Sequence, residues 1–157
     1  MTLEDRKVNL VSKVKGKDII GMKLNAPLSP YEFVYAWPML SIKMNKGTGV
    51  VTSVPSDSPD DYANLVDIKK KKAYREKYSL TDEMVLPFEP VSIIEIPEYS
   101  KLSAEKAYKQ FKVQSMNDSV KLQQAKEFVY LKGHYKGVML EGAFKGKTVE
   151  EAKILTR

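Results

Sequence analysis

Two apolar rhythms divide the chain. Its first part holds short blocks of β-branched and aromatic residues, and its later part repeats apolar residues every three or four positions. The block "DIIGMKL", Asp18 to Leu24, predicts a short strand. "YEFVYAWPML", followed by "SIKM", predicts a longer extended stretch in which Pro38 marks a bend or an edge. "GTGVVTSVP" predicts a glycine-bracketed strand from Gly47 to Val54, and "VSIIEIP" predicts another from Val91 to Pro97.

The helical rhythm follows. Tyr62, Leu65, Val66 and Ala73 fall near one face of a helix that begins about Ser58. Ala104, Ala107, Tyr108 and Phe111 follow the i, i+3, i+4, i+7 spacing, with Ser103 placed to cap. Asp118 is placed to cap a third helix that turns Leu122, Ala125 and Val129 inward. Thr148-Val-Glu-Glu151 is a capping box that opens a fourth. That helix reaches Arg157 with no C-terminal stop signal, the pattern expected of a chain excised from something longer. The predicted class is mixed α/β: strands first, curled into a sheet or β-barrel, with helices flanking them.

Bulk composition narrows the function classes. The 157 residues suit a single domain over 1–157, with residues 1–17 an N-terminal segment to which no element is assigned. There is no run of 18 apolar residues and no apolar block near the N-terminus, so neither a membrane span nor a secretory signal is predicted. The absence of cysteine removes disulfides and thiolate metal sites, and fits a cytosolic setting. A net charge of +6 points to a polyanion as partner, although a merely soluble basic protein would carry the same charge.

Most catalytic constellations are missing. His134 is the sole histidine, so a multi-histidine metal site is excluded, and its place in "LKGHYKG" fits a surface or turn position. "GKT", Gly146 to Thr148, lacks the earlier glycine of a phosphate loop, since position 141 is Glu141, and Thr148 is better used as a cap. The run Lys69 to Lys72 turns through different directions on a helix, and a solvated surface is its default use.

The segment "VTSVPSDSPDDY" carries the most chemistry. Ser58 can cap a helix, Pro59 suits its first position, Asp61 falls three after Ser58 as in a capping box, and Asp60 and Asp61 complement the positive helix end. Capping leaves Asp57 without a task. A carboxylate displayed where a strand gives way to a helix can equally grip a ligand ammonium by charge-assisted hydrogen bonds. The pattern alone does not choose between cap and grip.

Three stretches carry a family resemblance: "KGTGVVTSVPSDSPDDYANLVDIKKK", "MVLPFEPVSIIEIPEY" and "QSMNDSVKLQQAKEFVYLKGHYKGVML". Together they resemble the editing (CP1) insertion of cytosolic leucyl-tRNA synthetases of the eukaryotic and archaeal type, over roughly Asp18 to the end. The resemblance implies a β-barrel flanked by helices, the class I synthetase editing-domain type. It implies hydrolysis of mischarged leucine tRNA, a second sieve needed because one methylene is worth only about 1–3 kcal/mol of discrimination. By the same resemblance Asp61 is the acid that binds the α-ammonium of the misattached residue, with Asp57 a second acid near the substrate. Gly47, Thr48, Gly49, Thr52, Val54 and Ser56 would bind the acylated terminal adenosine. Relatives from bacteria often have a tyrosine just before the first glycine, where this chain has Lys46. The implied reaction is ester hydrolysis by an oriented water, without a covalent nucleophile or a metal.

Further expectations follow from the resemblance. The partners are leucine tRNA, through its acylated 3′ end, and the rest of a synthetase chain, in the cytoplasm and away from membranes. This domain needs no cofactor, since ATP and magnesium serve the catalytic domain. A threonine-rich segment that lines the family's pocket is missing, so the chain corresponds to the later portion of the insertion and is expected to be inactive alone. The contrasting possibility is a non-catalytic module that binds RNA or protein. The presence of both Asp61 and the glycine strand favours the first possibility, because a pure binding module has no use for an ammonium grip.

Overall fold

The computed structural model describes residues 9–27, 29–43 and 49–156. A short helix α1 (Gly16–Ile19) leads into an antiparallel hairpin of β1 (Lys23–Asn25) and β2 (Phe33–Tyr35), with Leu24 opposite Val34. Helices α2 (Pro59–Lys70) and α3 (Lys72–Lys77) follow, then a 3₁₀ turn at Asp82–Met84 and the short strand β3 (Ile94–Glu95). Helices α4 (Ser103–Gln110) and α5 (Ser119–Lys136) come next. Strand β4 (Val138–Met139) returns antiparallel to β3, and α6 (Val149–Leu155) ends the described chain.

The helices behave largely as their sequence dictates. Ser58 caps α2 with Pro59 in its first turn, and Thr148 and Glu151 close a reciprocal capping box on α6. Leu122, Ala125 and Val129 are the buried face of α5. Three expectations need correction. Ala73 lies on α3 and is exposed, because the helix breaks at Lys71. Ser103 is the first residue of α4 rather than its cap, and its hydroxyl is used elsewhere. Asp118 holds the N-cap position of α5 as expected, but its carboxylate makes no capping bond and instead accepts from the Gln114 N–H at 2.6 Å, tying down the preceding loop.

The strands depart further from expectation. Asp18 and Ile19 are helical, and only Lys23–Asn25 of that region pairs. Of the aromatic stretch only Phe33–Tyr35 pairs, and of Val91 to Pro97 only Ile94–Glu95 forms a strand. Residues 49–54 form no strand, and residues 44–48 lie outside the described part. The described strands make two separate two-stranded sheets and close no barrel. The physical reason is that β propensity reports fit to a half-buried pleated surface, and a ladder needs a partner before the propensity can act.

The core sits between helices. Ala63 from α2, Tyr108 from α4 and Leu122 from α5 meet with Val113. Next to them Ala107, Ala125 and Val129 enclose Ile96, with Phe111 and Phe128 edge to face at their margin. A third cluster joins Ile68, Leu80 and Val85, covered by Trp37, whose indole N–H donates to the Met84 carbonyl at 3.0 Å. Arg75 is only 5% exposed and ties this cluster together. Its guanidinium donates to the Ile68 and Lys69 carbonyls at the C-terminal end of α2 and to Asp82.

Gly137 sets the passage from α5 to β4. A Cβ there would overlap the Gly133 carbonyl oxygen and lie 2.8 Å from Ile94 Cγ2 and 2.9 Å from Val149 Cγ2. Gly137→Ala is therefore expected to destabilise the protein by about 1–3 kcal/mol, as overpacking does. Thermal melting checks this. A melting temperature equal to that of the unmodified chain would show that the junction has room to spare.

Candidate functional site

The acidic loop spans the turn that ends at the N-terminus of α2. Val54 begins the turn by accepting from the Asp57 and Ser58 N–H groups at 3.1 and 2.9 Å. Ser58 is extended, and its hydroxyl accepts from the Asp61 N–H at 3.4 Å, a long cap. The carboxylate of Asp61 does not complete a capping box. It reaches back along the chain and accepts from the Val54 N–H at 2.7 Å. Asp61 thus fixes the approach of residues 49–54 to the helix while its charge lies at the positive helix end.

The three aspartates have different tasks. Asp57 accepts from the Ser56 hydroxyl at 2.6 Å and from the Ser103 hydroxyl at 3.2 Å, and both serines are buried. It therefore anchors the loop to α4, a role that uses both of its oxygens. Asp60 accepts from the Lys126 ammonium at 2.8 Å, which anchors the loop to α5. The Tyr130 hydroxyl, one turn further along α5, donates to Ser58 Oγ at 3.1 Å. Among the described residues no lysine or arginine forms an ion pair with Asp61.

Burial pushes the carboxyl of Asp61 above its ordinary value of 3.8. The Val54 N–H, the Ser58 hydroxyl and the Lys126 charge oppose that shift, and Asp60 reinforces it. Burial raises Asp57 as well, and the Ser56 and Ser103 hydroxyls pull it back. A carboxyl raised by folding binds protons more tightly in the native state. Its unfavourable contribution therefore appears as pH rises from about 3.8 through the folded value, and it is relieved in acid. Asp57→Asn removes this term for one group. The difference in melting temperature between variant and parent chain should move in favour of the variant as pH rises from acid to neutral. A difference that stays constant with pH would contradict a raised Asp57.

The remaining predicted residues are distributed as follows. Gly49 is left-handed, with φ of 74°, and a Cβ there would meet nothing within 4 Å, so its glycine serves the turn rather than a close approach. Thr52 is exposed, Val54 is half-buried and Ser56 is buried. Gly47, Thr48 and Lys46 lie outside the described residues. His134 is half-buried on α5 with its ring against Tyr135, away from any acid cluster that could hold a metal among the described residues. The lysine run is largely neutralised, since Lys69 pairs with Glu89, Lys71 with Asp67 and Lys72 with Glu76.

Two shallow hollows lie in the described surface. One, of about 410 Å³, lies beside Lys101, Glu105 and Lys109, and the other, of about 150 Å³, lies beside Asn64 and Asp67. Neither includes Asp61. Sequence reasoning missed Ser103, Lys126 and Tyr130. The signal available for the last two was a lysine and a tyrosine four apart beside the buried stripe of Ala125 and Val129, although nothing local says which loop they reach.

Comparison with known proteins comes from relatives and solved structures, and no family model matches. The chain is 54% identical over 120 residues to the cytoplasmic leucine–tRNA ligase of Pongo abelii, covering 76% of this chain and 10% of that ligase. It is 55% identical over 118 residues to the cytoplasmic leucine–tRNA ligase of Dictyostelium discoideum, covering 75% of this chain and 11% of that ligase. The chain thus spans about a tenth of the length of these curated relatives. Among solved structures, the editing domain of the P. knowlesi cytosolic leucyl-tRNA synthetase matches with a TM-score of 0.82 and 38% identity, over 90% of this chain and 47% of that one. The P. falciparum counterpart matches with a TM-score of 0.83 and 40% identity, over 90% of this chain and 47% of that one.

Proposed function

We propose that this chain, a homologue of part of the editing domain of cytosolic leucyl-tRNA synthetases, forms one wall of a site that hydrolyses mischarged leucine tRNA. The observation that carries this reading is Asp61. It is a partly desolvated carboxylate, held by the Val54 N–H at a helix N-terminus and left without an ion-pair partner among the described residues. Such a group offers a charge-assisted hydrogen bond to the α-ammonium of an aminoacyl ester. Thr52 is exposed on the segment that Asp61 fixes, and in this reading its hydroxyl would meet the terminal adenosine.

The chemistry is hydrolysis by positioning. Asp61 would hold the amine, the 49–54 segment would hold the adenosine, and a water would attack the ester carbonyl from a fixed direction. The carbonyl carbon gains the water oxygen, the ester bond to the ribose breaks, and the ribose hydroxyl leaves with a proton. No metal or covalent nucleophile is required. ATP and magnesium would serve the ligase's activation step, in a part of the enzyme beyond this domain. Leucine tRNA and the rest of a cytoplasmic synthetase chain are the partners this role implies.

The barrel belongs to this proposal as well. Met22, Leu24, Leu40, Val50 and Val51 are apolar yet more than a third exposed, and all lie in the first third of the chain. The editing domains that match are about twice the length of this chain. We assign these exposed apolar side chains to packing against the remainder of such a domain. A purely RNA-binding module is the weaker alternative, because three of the four consecutive lysines are paired with acids.

Single-turnover deacylation at high protein concentration tests the reading. Leucine tRNA mischarged with norvaline or isoleucine is the substrate, and the chain is compared with one extended upstream through a threonine-rich segment. The extended protein should hydrolyse the ester at least about a hundredfold faster, since misplacement by roughly 1 Å already costs that much. Equal rates would show that the upstream wall is dispensable. No hydrolysis by the extended protein would overturn the editing reading.

A further inference from the structure

Two adjacent carboxylates at a helix N-terminus pose an electrostatic problem. Asp60 and Asp61 repel each other, and an approaching ammonium could settle on either one. The structure separates them by giving each a different partner. Asp61 turns back to the Val54 N–H, and Asp60 meets Lys126, which comes from α5, 66 positions along the chain. The pair is sheltered: the Asp60 side chain is 14% exposed and that of Lys126 is 30% exposed. Tyr130 stands one helical turn beyond Lys126 on the same face and donates to Ser58, which caps the helix and receives the Asp61 N–H.

We propose that Lys126 is a positioning residue of this site, one that occupies Asp60 and pins the start of α2 to α5 so that Asp61 alone is presented to the ligand ammonium. The inference rests on the editing reading above and adds how the site chooses between its two acids. Among the described residues, the charged and titratable groups around Asp61 are Asp60 on its own helix, Lys126 and Tyr130 from α5, and Asp57, which is engaged by Ser56 and Ser103. Lys126 is the sole cation among them. Its charge favours the ionised form of Asp61 and opposes both burial and Asp60, so its removal leaves Asp61 ionising at higher pH.

The experiment is single-turnover deacylation by the full parent synthetase between about pH 5 and about pH 8. Lys126→Met, Lys126→Gln, Lys126→Arg and Asp61→Ala are compared with the unmodified enzyme, each checked by melting temperature. Lys126→Met should move the acidic limb of the rate profile to higher pH. Near pH 5 its rate, relative to its own plateau, should be reproducibly below that of the unmodified enzyme. Lys126→Gln keeps a donor without the charge and should show the same displacement. Lys126→Arg should restore the original limb. A merely structural lysine would lower the melting temperature and leave the limb in place, and superimposed profiles for Gln and the unmodified enzyme would overturn the proposal. Undiminished deacylation by Asp61→Ala would overturn the editing reading and this inference with it. Loss of activity in Asp61→Ala with an unmoved limb in the Lys126 variants would overturn this inference alone.

Discussion

Asp61→Ala in the parent enzyme is expected to remove deacylation of mischarged leucine tRNA while leucine activation continues. The lost interaction is a charged hydrogen bond in a partly desolvated place, worth about 2–4 kcal/mol of transition-state stabilisation, or roughly 30- to 1,000-fold in rate. The same carboxylate also accepts from the Val54 N–H, so a stability loss of about 1 kcal/mol should accompany the kinetic one. The two effects are separable, because editing is read under conditions where the variant is fully folded. A variant that edits normally and only melts earlier would reduce Asp61 to a structural residue.

Arg75→Ala is the largest stability change expected. The guanidinium is almost wholly buried and satisfies two carbonyls at the end of α2, and it pairs with Asp82 through two nitrogens. Truncation leaves those carbonyls without their donor and opens a void beside Ile68 and Leu80. With about 1–3 kcal/mol for each orphaned carbonyl, a loss of about 2–5 kcal/mol follows, a large fraction of the stability of a domain of this size. Denaturant unfolding measures it. A loss below about 1 kcal/mol would mean that water replaces the arginine at little cost.

Helices were legible in the chain because their signals are local. The Ser58-Pro59 start of α2, the Thr148–Glu151 box and the Leu122, Ala125, Val129 stripe are each written within a few residues, and each appears as expected. Strands were less legible because a strand is a relation between distant segments. "GVVTSV" has the composition of a strand yet is not one in the fold, and Asp61 holds it at Val54. The family resemblance supplied a barrel that the described strands do not close.

The site was legible in part for the same reason. Asp61 could be singled out from the loop and the resemblance, but its hydrogen bond to Val54 runs against the capping-box expectation. Asp57 shares the loop but is bound to the hydroxyl of a serine 46 positions on. Its oxygens are taken by hydroxyls, which favours an anchoring role over direct contact with a substrate. No local pattern announces that Lys126 will meet Asp60, because the packing of α2 against α5 decides it.

The central claim is that Asp61 holds the ligand's α-ammonium, and the most direct measurement removes that ammonium from the substrate. Leucine tRNA esterified with norvaline is compared with the same tRNA carrying the α-hydroxy analogue, using the parent enzyme and its Asp61→Ala variant. Intrinsic differences between the two esters cancel in the ratio between the two proteins. The unmodified enzyme should favour the amino ester by about 30-fold or more relative to the variant's own preference, the equivalent of about 2 kcal/mol in coupling. Equal preference in the two proteins would contradict the ammonium grip, whatever else Asp61 does for the loop.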